Sequence, residues 1–231
     1  MALIGIGTAL LWLPISADGS GHIGLEDALF ASTSAATVTG LGSTDIARFS
    51  VVGELIILLL IQVGGFGIMT IGSVLALIAS RRVGLRQRML AQAEIGAVDI
   101  GELRRLIIAI AKITVGIECA LALVLCIRFW QGGYETNVGH AAYSAVFHSI
   151  ASFNNAGISL YSDNLERFVG DPVVVFGVSG AFIIGGLGFP ILVELRRRES
   201  HRRSGNASRP LPWSLHTKIT LVATAGLLVI G

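Results

Sequence analysis

Apolar residues fall along this chain in long runs and short runs, and the two alternate. The long runs are Val51 to Ser80, Leu103 to Phe129 and Val173 to Val193. At about 1.5 Å per residue, each covers or exceeds the roughly 30 Å of bilayer hydrocarbon and predicts a spanning helix. Ala2 to Ile15, apolar around Pro14, reads as a first span that is short at its start, and Ser214 to Gly231 as the opening of another. No Lys or Arg precedes the first run, so it lacks the basic start of a signal peptide. The short runs, Leu25 to Ala36 and Ala141 to Ser152, cover only about 18 Å as helix. They cannot span. A half-length helix that ends in irregular backbone is tolerated at membrane depth only where that backbone is buried or lines a water-filled path.

The short runs belong to a repeat. Ala28 to Asp45 reads ALFASTSAATVTGLGSTD and Ala145 to Asp163 reads AVFHSIASFNNAGISLYSD. The two align without a gap at an offset of 145 − 28 = 117 residues, which pairs Phe30 with Phe147, Ser32 with Ser149 and Gly40 with Gly157. The carbonyl end of each half-helix carries partial negative charge, which favours a cation in the loop that follows. Those loops are Thr37-Val38-Thr39-Gly40 and Asn154-Asn155-Ala156-Gly157. Gly40 is able to take positive φ and turn successive carbonyls inward. The plainer alternative for Thr-Val-Thr-Gly, a helix C-cap with glycine just past the end, loses weight because the glycine recurs at position 157.

Glycines also recur in the long runs. Gly64, Gly65 and Gly67 are matched by Gly185, Gly186 and Gly188 at an offset of 185 − 64 = 121. They mark either close helix packing, the more ordinary use, or a bend. Pro190 is placed to kink the end of the third long run.

Composition agrees with a membrane protein: 53% of residues are hydrophobic and 14% charged, against roughly a quarter charged in soluble domains. Charge placement then orients the chain. Of 17 Lys and Arg, 13 fall in or beside two connections: Arg81, Arg82, Arg86, Arg88, Arg104 and Arg105, then Arg196, Arg197, Arg198, Arg202, Arg203, Arg209 and Lys218. The turns flanking the half-helices hold Arg48 and Arg167 against Asp18, Glu26, Asp27, Asp45, Glu135, Asp163, Glu166 and Asp171. The positive-inside rule makes the basic connections cytoplasmic and opens the glycine loops outward. Asn206-Ala207-Ser208, a glycosylation match, then lies on the wrong side. Topology accounts for the arginines without nucleic acid, and anionic lipid is their more plausible extra contact.

The first basic connection carries an amphipathic stretch from Leu85 to Ala97. Lys112 and Glu118, six apart at membrane depth, lie on different faces of one helix, so each is expected to be neutralised by another helix or to serve the ion path. His148 has no second ligand at metal spacing and reads as packed or hydrogen-bonded. Cys119 and Cys126, seven apart on one apolar helix, are about 10 Å apart along it and do not pair. No Gly-x-Ser-x-Gly, His-Glu-x-x-His or phosphate-loop motif is present, so an enzyme is not expected.

The plan is span, half-helix with loop, span, twice over, with a third opening. It divides as 1–80 (first repeat), 81–102 (basic connection), 103–198 (second repeat), 199–213 (basic connection) and 214–231 (start of a third repeat). Thr37 to Leu41, Ile61-Gln62-Val63-Gly64-Gly65-Phe66-Gly67, Phe147-His148, Ser152 to Gly157, Gly170-Asp171-Pro172 and Gly185 to Phe189 together resemble the first two of four repeats in the Trk/Ktr/HKT superfamily of potassium transporters, the Ktr branch above all. The resemblance implies an all-α membrane protein of potassium-channel-like repeats that takes up potassium across the cell membrane. It implies filter carbonyls from Thr37, Val38, Thr39 and Gly40 and from Asn154, Asn155, Ala156 and Gly157, with potassium or sodium held by those carbonyls alone. No cofactor in the chain is implied; sodium is a candidate coupling ion. The implied partners are lipid, a second copy in a homodimer and a cytoplasmic nucleotide-binding regulatory subunit, with no nucleic acid. The third and fourth repeats are missing from this chain, so the expectation is the N-terminal portion of a longer transporter. The alternative is a half-subunit that needs dimerisation to form a pore, or a non-conducting scaffold.

Overall fold

The computed structural model describes residues 1–19, 21–41, 46–81, 100–203 and 213–230. Asp45, Arg82, Arg86, Arg88, the Leu85 to Ala97 stretch, Asn206 to Ser208 and Arg209 lie outside them. Among the described residues the chain is all-helical, with a single isolated bridge between Ala17 and Phe49 in place of any strand.

The described residues form eight α-helices in order: α1 (Ala2–Leu11), α2 (Leu25–Thr37), α3 (Val51–Arg81), α4 (Ile100–Gln131), α5 (Val138–Phe153), α6 (Pro172–Leu187), α7 (Phe189–Arg203) and α8 (Leu215–Ile230). Val51–Gly72 of α3 and Ile107–Gln131 of α4 are long and apolar enough to cross a membrane, and α6 with the start of α7 makes a third crossing if the broken pair acts as one span. The half-helices α2 and α5 have 13 and 16 residues, within about one turn of the lengths the sequence predicts.

Three boundaries depart from the sequence-based expectation. Helix α1 has 10 residues and stops at Leu11, four residues before the apolar run ends at Ile15. Leu13 takes an extended conformation ahead of Pro14, as a residue before proline tends to do, and a 3₁₀ turn over Pro14–Ser16 follows. The third long run is two helices, because Gly188 sits at φ +80° between them. Pro190 falls in the first turn of α7, where its missing N–H costs nothing. The start of the second basic connection is helical: Arg196 to Arg203 close α7.

The chain forms two compact units. The first comprises Met1–Ile68 and Ala111–Gly186 and holds both half-helices. Ala28 on α2 and Ala145 on α5, partners in the repeat, are both fully buried. Around Ala28 a core gathers Leu11, Ile57, Ile61, Phe147 and Ala156; around Ala145 a second gathers Leu125, Phe129, Phe168 and Val174. The second unit comprises Met69–Ile110 and Leu187–Gly231. There Glu194 of α7 accepts hydrogen bonds from Ser214 and Thr217 at the start of α8, and the Arg198 guanidinium lies 3.8 Å from the centre of the Trp213 ring.

Candidate ion-binding site

The two half-helices end in the same way. Val38 N–H donates to Ala35 and Thr39 N–H to Ser34, while Asn155 N–H donates to Ser152 and Ala156 N–H to Ala151, every partner shifted by 117 residues. Each end is a left-handed cap of the Schellman type. The left-handed residue is Val38 in one copy and Asn155 in the other, at φ 56° and 59°. The glycines come two residues later with positive φ of their own, 73° at Gly40 and 64° at Gly157. Neither glycine is therefore the helix cap. Asparagine tolerates the left-handed region, whereas a β-branched valine there is strained.

Gly40 and Gly157 meet. A Cβ placed on Gly40 would stand 2.7 Å from the Ala156 carbonyl oxygen and 3.3 Å from Gly157 Cα, and one on Gly157 would stand 3.3 Å from Gly40 Cα. The carbonyls of Val38, Thr39 and Gly40 and of Asn155, Ala156 and Gly157 all come after the last helical turns, so the α2 and α5 ladders do not use them. Thr37 closes α2 and donates its hydroxyl back to Thr33, and Asn154 caps α5.

Matching contacts hold both loops. Ser32 Oγ donates to the Ile4 carbonyl of α1 at 2.8 Å, and its repeat partner Ser149 Oγ donates to the Glu118 carbonyl of α4 at 2.6 Å. A side chain at Gly64 would collide with the Ala36 carbonyl at the end of α2, and one at Gly185 with the Phe153 carbonyl at the end of α5. Gly65 lies against the Asn154 side chain, and a Cβ placed on Gly186 would stand 4.0 Å from the Asn155 amide nitrogen. Gly67 has nothing within 4 Å, and Gly188 marks the break after α6. Of the six helix glycines, Gly64, Gly65 and Gly185 thus give close contact with the loops.

The buried acid Glu118 is held by amides rather than by a cation. Gln62 Nε2 donates to its Oε2 at 3.1 Å and Asn154 Nδ2 to its Oε1 at 3.2 Å. Lys112, on the same helix, is exposed. In the C-terminal half of α5, His148 is 2% exposed. Its Nδ1 lies 2.7 Å from the Ser144 carbonyl and its Nε2 3.0 Å from Ser159 Oγ, which ties the segment after Gly157 back onto the half-helix. Tyr161 and Ser144 both donate to Glu135 in the same cluster. Among the described residues no group of His, Cys, Asp and Glu is arranged to hold a metal ion.

Asp171 stands at the start of α6, where Val173 N–H and Val174 N–H donate to its Oδ1 while Arg128 and Tyr134 donate to its Oδ2. Desolvation pushes its pKa up, but these hydrogen bonds outweigh it and hold the carboxyl below its ordinary value. Ser50, at the matching offset of 171 − 50 = 121, opens α3 in the same manner, its Oγ accepting from Gly53 N–H. Sequence reading flagged Glu118 as costly at membrane depth and Asp171 as part of a motif. It missed Gln62 as the partner of Glu118, whose signal was a lone amide among apolar residues of a spanning helix.

An all-helical chain with long apolar helices, two of them long and apolar enough to cross a bilayer, defines a membrane-embedded protein. The chain belongs to the TrkH family, described as cation transport protein, whose family model matches residues 1–230. It is 38% identical over 221 residues to the Ktr system potassium uptake protein B of Bacillus subtilis, covering 95% of this chain and 46% of that protein. It is 39% identical over 226 residues to the Ktr system potassium uptake protein B of Vibrio alginolyticus, covering 96% and 46%. The potassium/sodium uptake protein NtpJ of Enterococcus hirae matches at 30% over 230 residues, covering 99% and 48%. The chain spans about half the length of these relatives. The family is one of transporters, not enzymes.

Proposed function

We propose that this chain supplies two of the filter loops through which a monovalent cation, potassium first, is taken up across the cell membrane. The observation that carries the reading is the meeting of Gly40 and Gly157, each at positive φ two residues beyond a left-handed helix end. Loops built so can present carbonyls in place of an ion's water shell. On this reading Thr37 to Gly40 and Asn154 to Gly157 bind the ion by backbone oxygens and no cofactor is needed. Residues 1–80 and 103–198 are two of the four repeats of a complete pore, and 214–231 open a third. The names of relatives as potassium or potassium/sodium uptake proteins support the choice of ion, and sodium coupling is part of the proposal.

The basic connections face the cytoplasm and the glycine loops face outward, as the distribution of arginines supports. "Ktr system" in the names of two relatives supports a multicomponent assembly; for this chain it is a homodimer with a cytoplasmic nucleotide-binding regulatory subunit. The test is rubidium and potassium uptake by cells that lack their own potassium uptake and express the full chain as its gene encodes it. Restored uptake is expected. Membrane insertion at normal abundance without uptake would contradict the reading and favour a scaffold.

A further inference from the structure

Asn154 carries the first carbonyl of the second loop, and its side chain is clamped from two sides. Its Nδ2 donates to Glu118 Oε1 at 3.2 Å, to Gln62 Oε1 at 3.2 Å and to the Ile150 carbonyl at 2.9 Å. Its Oδ1 is buried without a hydrogen-bond partner and lies against Gly65, where any side chain would collide with it. The three acceptors around Nδ2 fix which way the amide faces. Glu118 also accepts from Gln62 Nε2, so the three side chains close a ring across α3, α4 and the end of α5. Glu118 is 6% exposed and Asn154 5%, while Gln62 is half-buried.

Residue 118 grips α5 twice, through its carbonyl to Ser149 and through its carboxyl to Asn154. The first repeat has only half of this. Ile4 accepts from Ser32 by its carbonyl, as Glu118 does from Ser149, but its side chain offers no acceptor. Thr37, at the place of Asn154, bonds only within its own helix and loop. An acid in this position is costly to bury, yet packing could be served by an apolar residue, as Ile4 shows. What the acid adds is a directed hold on the first residue of the second loop.

We infer that Glu118, braced by Gln62, is a positioning residue for the second filter loop and that it sets how well the pore distinguishes potassium-like ions from sodium. The inference rests on the uptake reading above. Glu118→Gln keeps an acceptor for Asn154 and drops the charge; Glu118→Leu keeps the volume and drops both. Uptake of rubidium and of sodium is measured in the full chain at matched membrane abundance. Glu118→Gln is expected to hold the rubidium-to-sodium ratio within about twofold of the parent. Glu118→Leu is expected to lower it about tenfold, the effect of losing the carboxylate's hold on Asn154 and leaving Gln62 Nε2 without its acceptor.

A parent-like ratio in Glu118→Leu would overturn the inference. So would a Glu118→Gln as poor as Glu118→Leu, since charge rather than positioning would then be at work. If Glu118→Leu does not reach the membrane, Gln62→Leu opens the same ring from α3 and is expected to lower the ratio about threefold, by losing the two hydrogen bonds that Gln62 makes within it; an unchanged ratio overturns the inference. A parent chain that moves neither ion defeats the uptake reading itself. A selective parent with indifferent variants defeats this inference alone.

Discussion

At the scale of single residues, backbone conformation decides more than side-chain chemistry. Val38 and Asn155 occupy the same left-handed position, 155 − 38 = 117 residues apart, yet one is strained there and the other is not. Val38→Asn, which copies the second loop into the first, is expected to raise thermal stability in detergent by up to about 1 kcal/mol. A fall in melting temperature would contradict this account of the strain. Glycine 40 and its counterpart were legible in the sequence because the need for positive φ leaves a residue-type signature. The left-handed valine was not, since nothing in its identity announces such a backbone. Nor was the ring of Gln62, Glu118 and Asn154: the sequence marks Glu118 as expensive, but which helix brings it a partner depends on packing that no spacing rule reports.

At the scale of elements, the same contact is built twice from glycines that a pattern search sees only as a cluster. Gly64 and Gly185 let α3 and α6 press on the last carbonyls of α2 and α5, whereas Gly67 faces open space. Gly64→Ala and Gly185→Ala should therefore lower the melting temperature, while Gly67→Ala should leave it unchanged or raise stability by up to about 1 kcal/mol through helix propensity. Equal effects at the three positions, measured by thermal unfolding in one detergent, would argue against packing. The start of α6 gives a pH prediction. The Asp171 pKa is lowered in the fold, so its stabilisation is complete above the pKa of the unfolded chain and is lost as pH falls through the lower folded value. Unfolding midpoints should drop below about pH 4, and Asp171→Ala should be about 2 kcal/mol less stable than its parent at neutral pH and less sensitive to acid. An unaltered acid limb in that variant would remove Asp171 from the explanation. The length of half-helices α2 and α5 was readable from hydropathy, but the stop of α1 at Leu11 was not, because an apolar run continues through Pro14 while the helix does not.

At the scale of the whole molecule, the all-helical, membrane-embedded class was legible from the apolar runs, and two sequence offsets have counterparts in local structure. Offsets of 117 for the loops and 121 for the helices behind them recur in backbone conformation, in the Ser32 and Ser149 hydrogen bonds and in the Gly64 and Gly185 contacts. Orientation rests on charge alone. Single cysteines introduced near Asp163 in an otherwise cysteine-free chain should react with a membrane-impermeant thiol reagent from outside intact cells, and cysteines at Arg196 only after lysis. The opposite pattern would invert the topology.

If the meeting glycines form part of a selective cation path, the rubidium-to-sodium uptake ratio of the full chain carrying Gly157→Ser should differ from that of Gly67→Ala at equal membrane abundance. Gly157 needs its positive φ, and a side chain there would press on Gly40. The account predicts a ratio lowered by roughly tenfold in Gly157→Ser, as about 1–2 kcal/mol of backbone strain at the loop would give, with Gly67→Ala like the parent. An unchanged ratio in Gly157→Ser would contradict it.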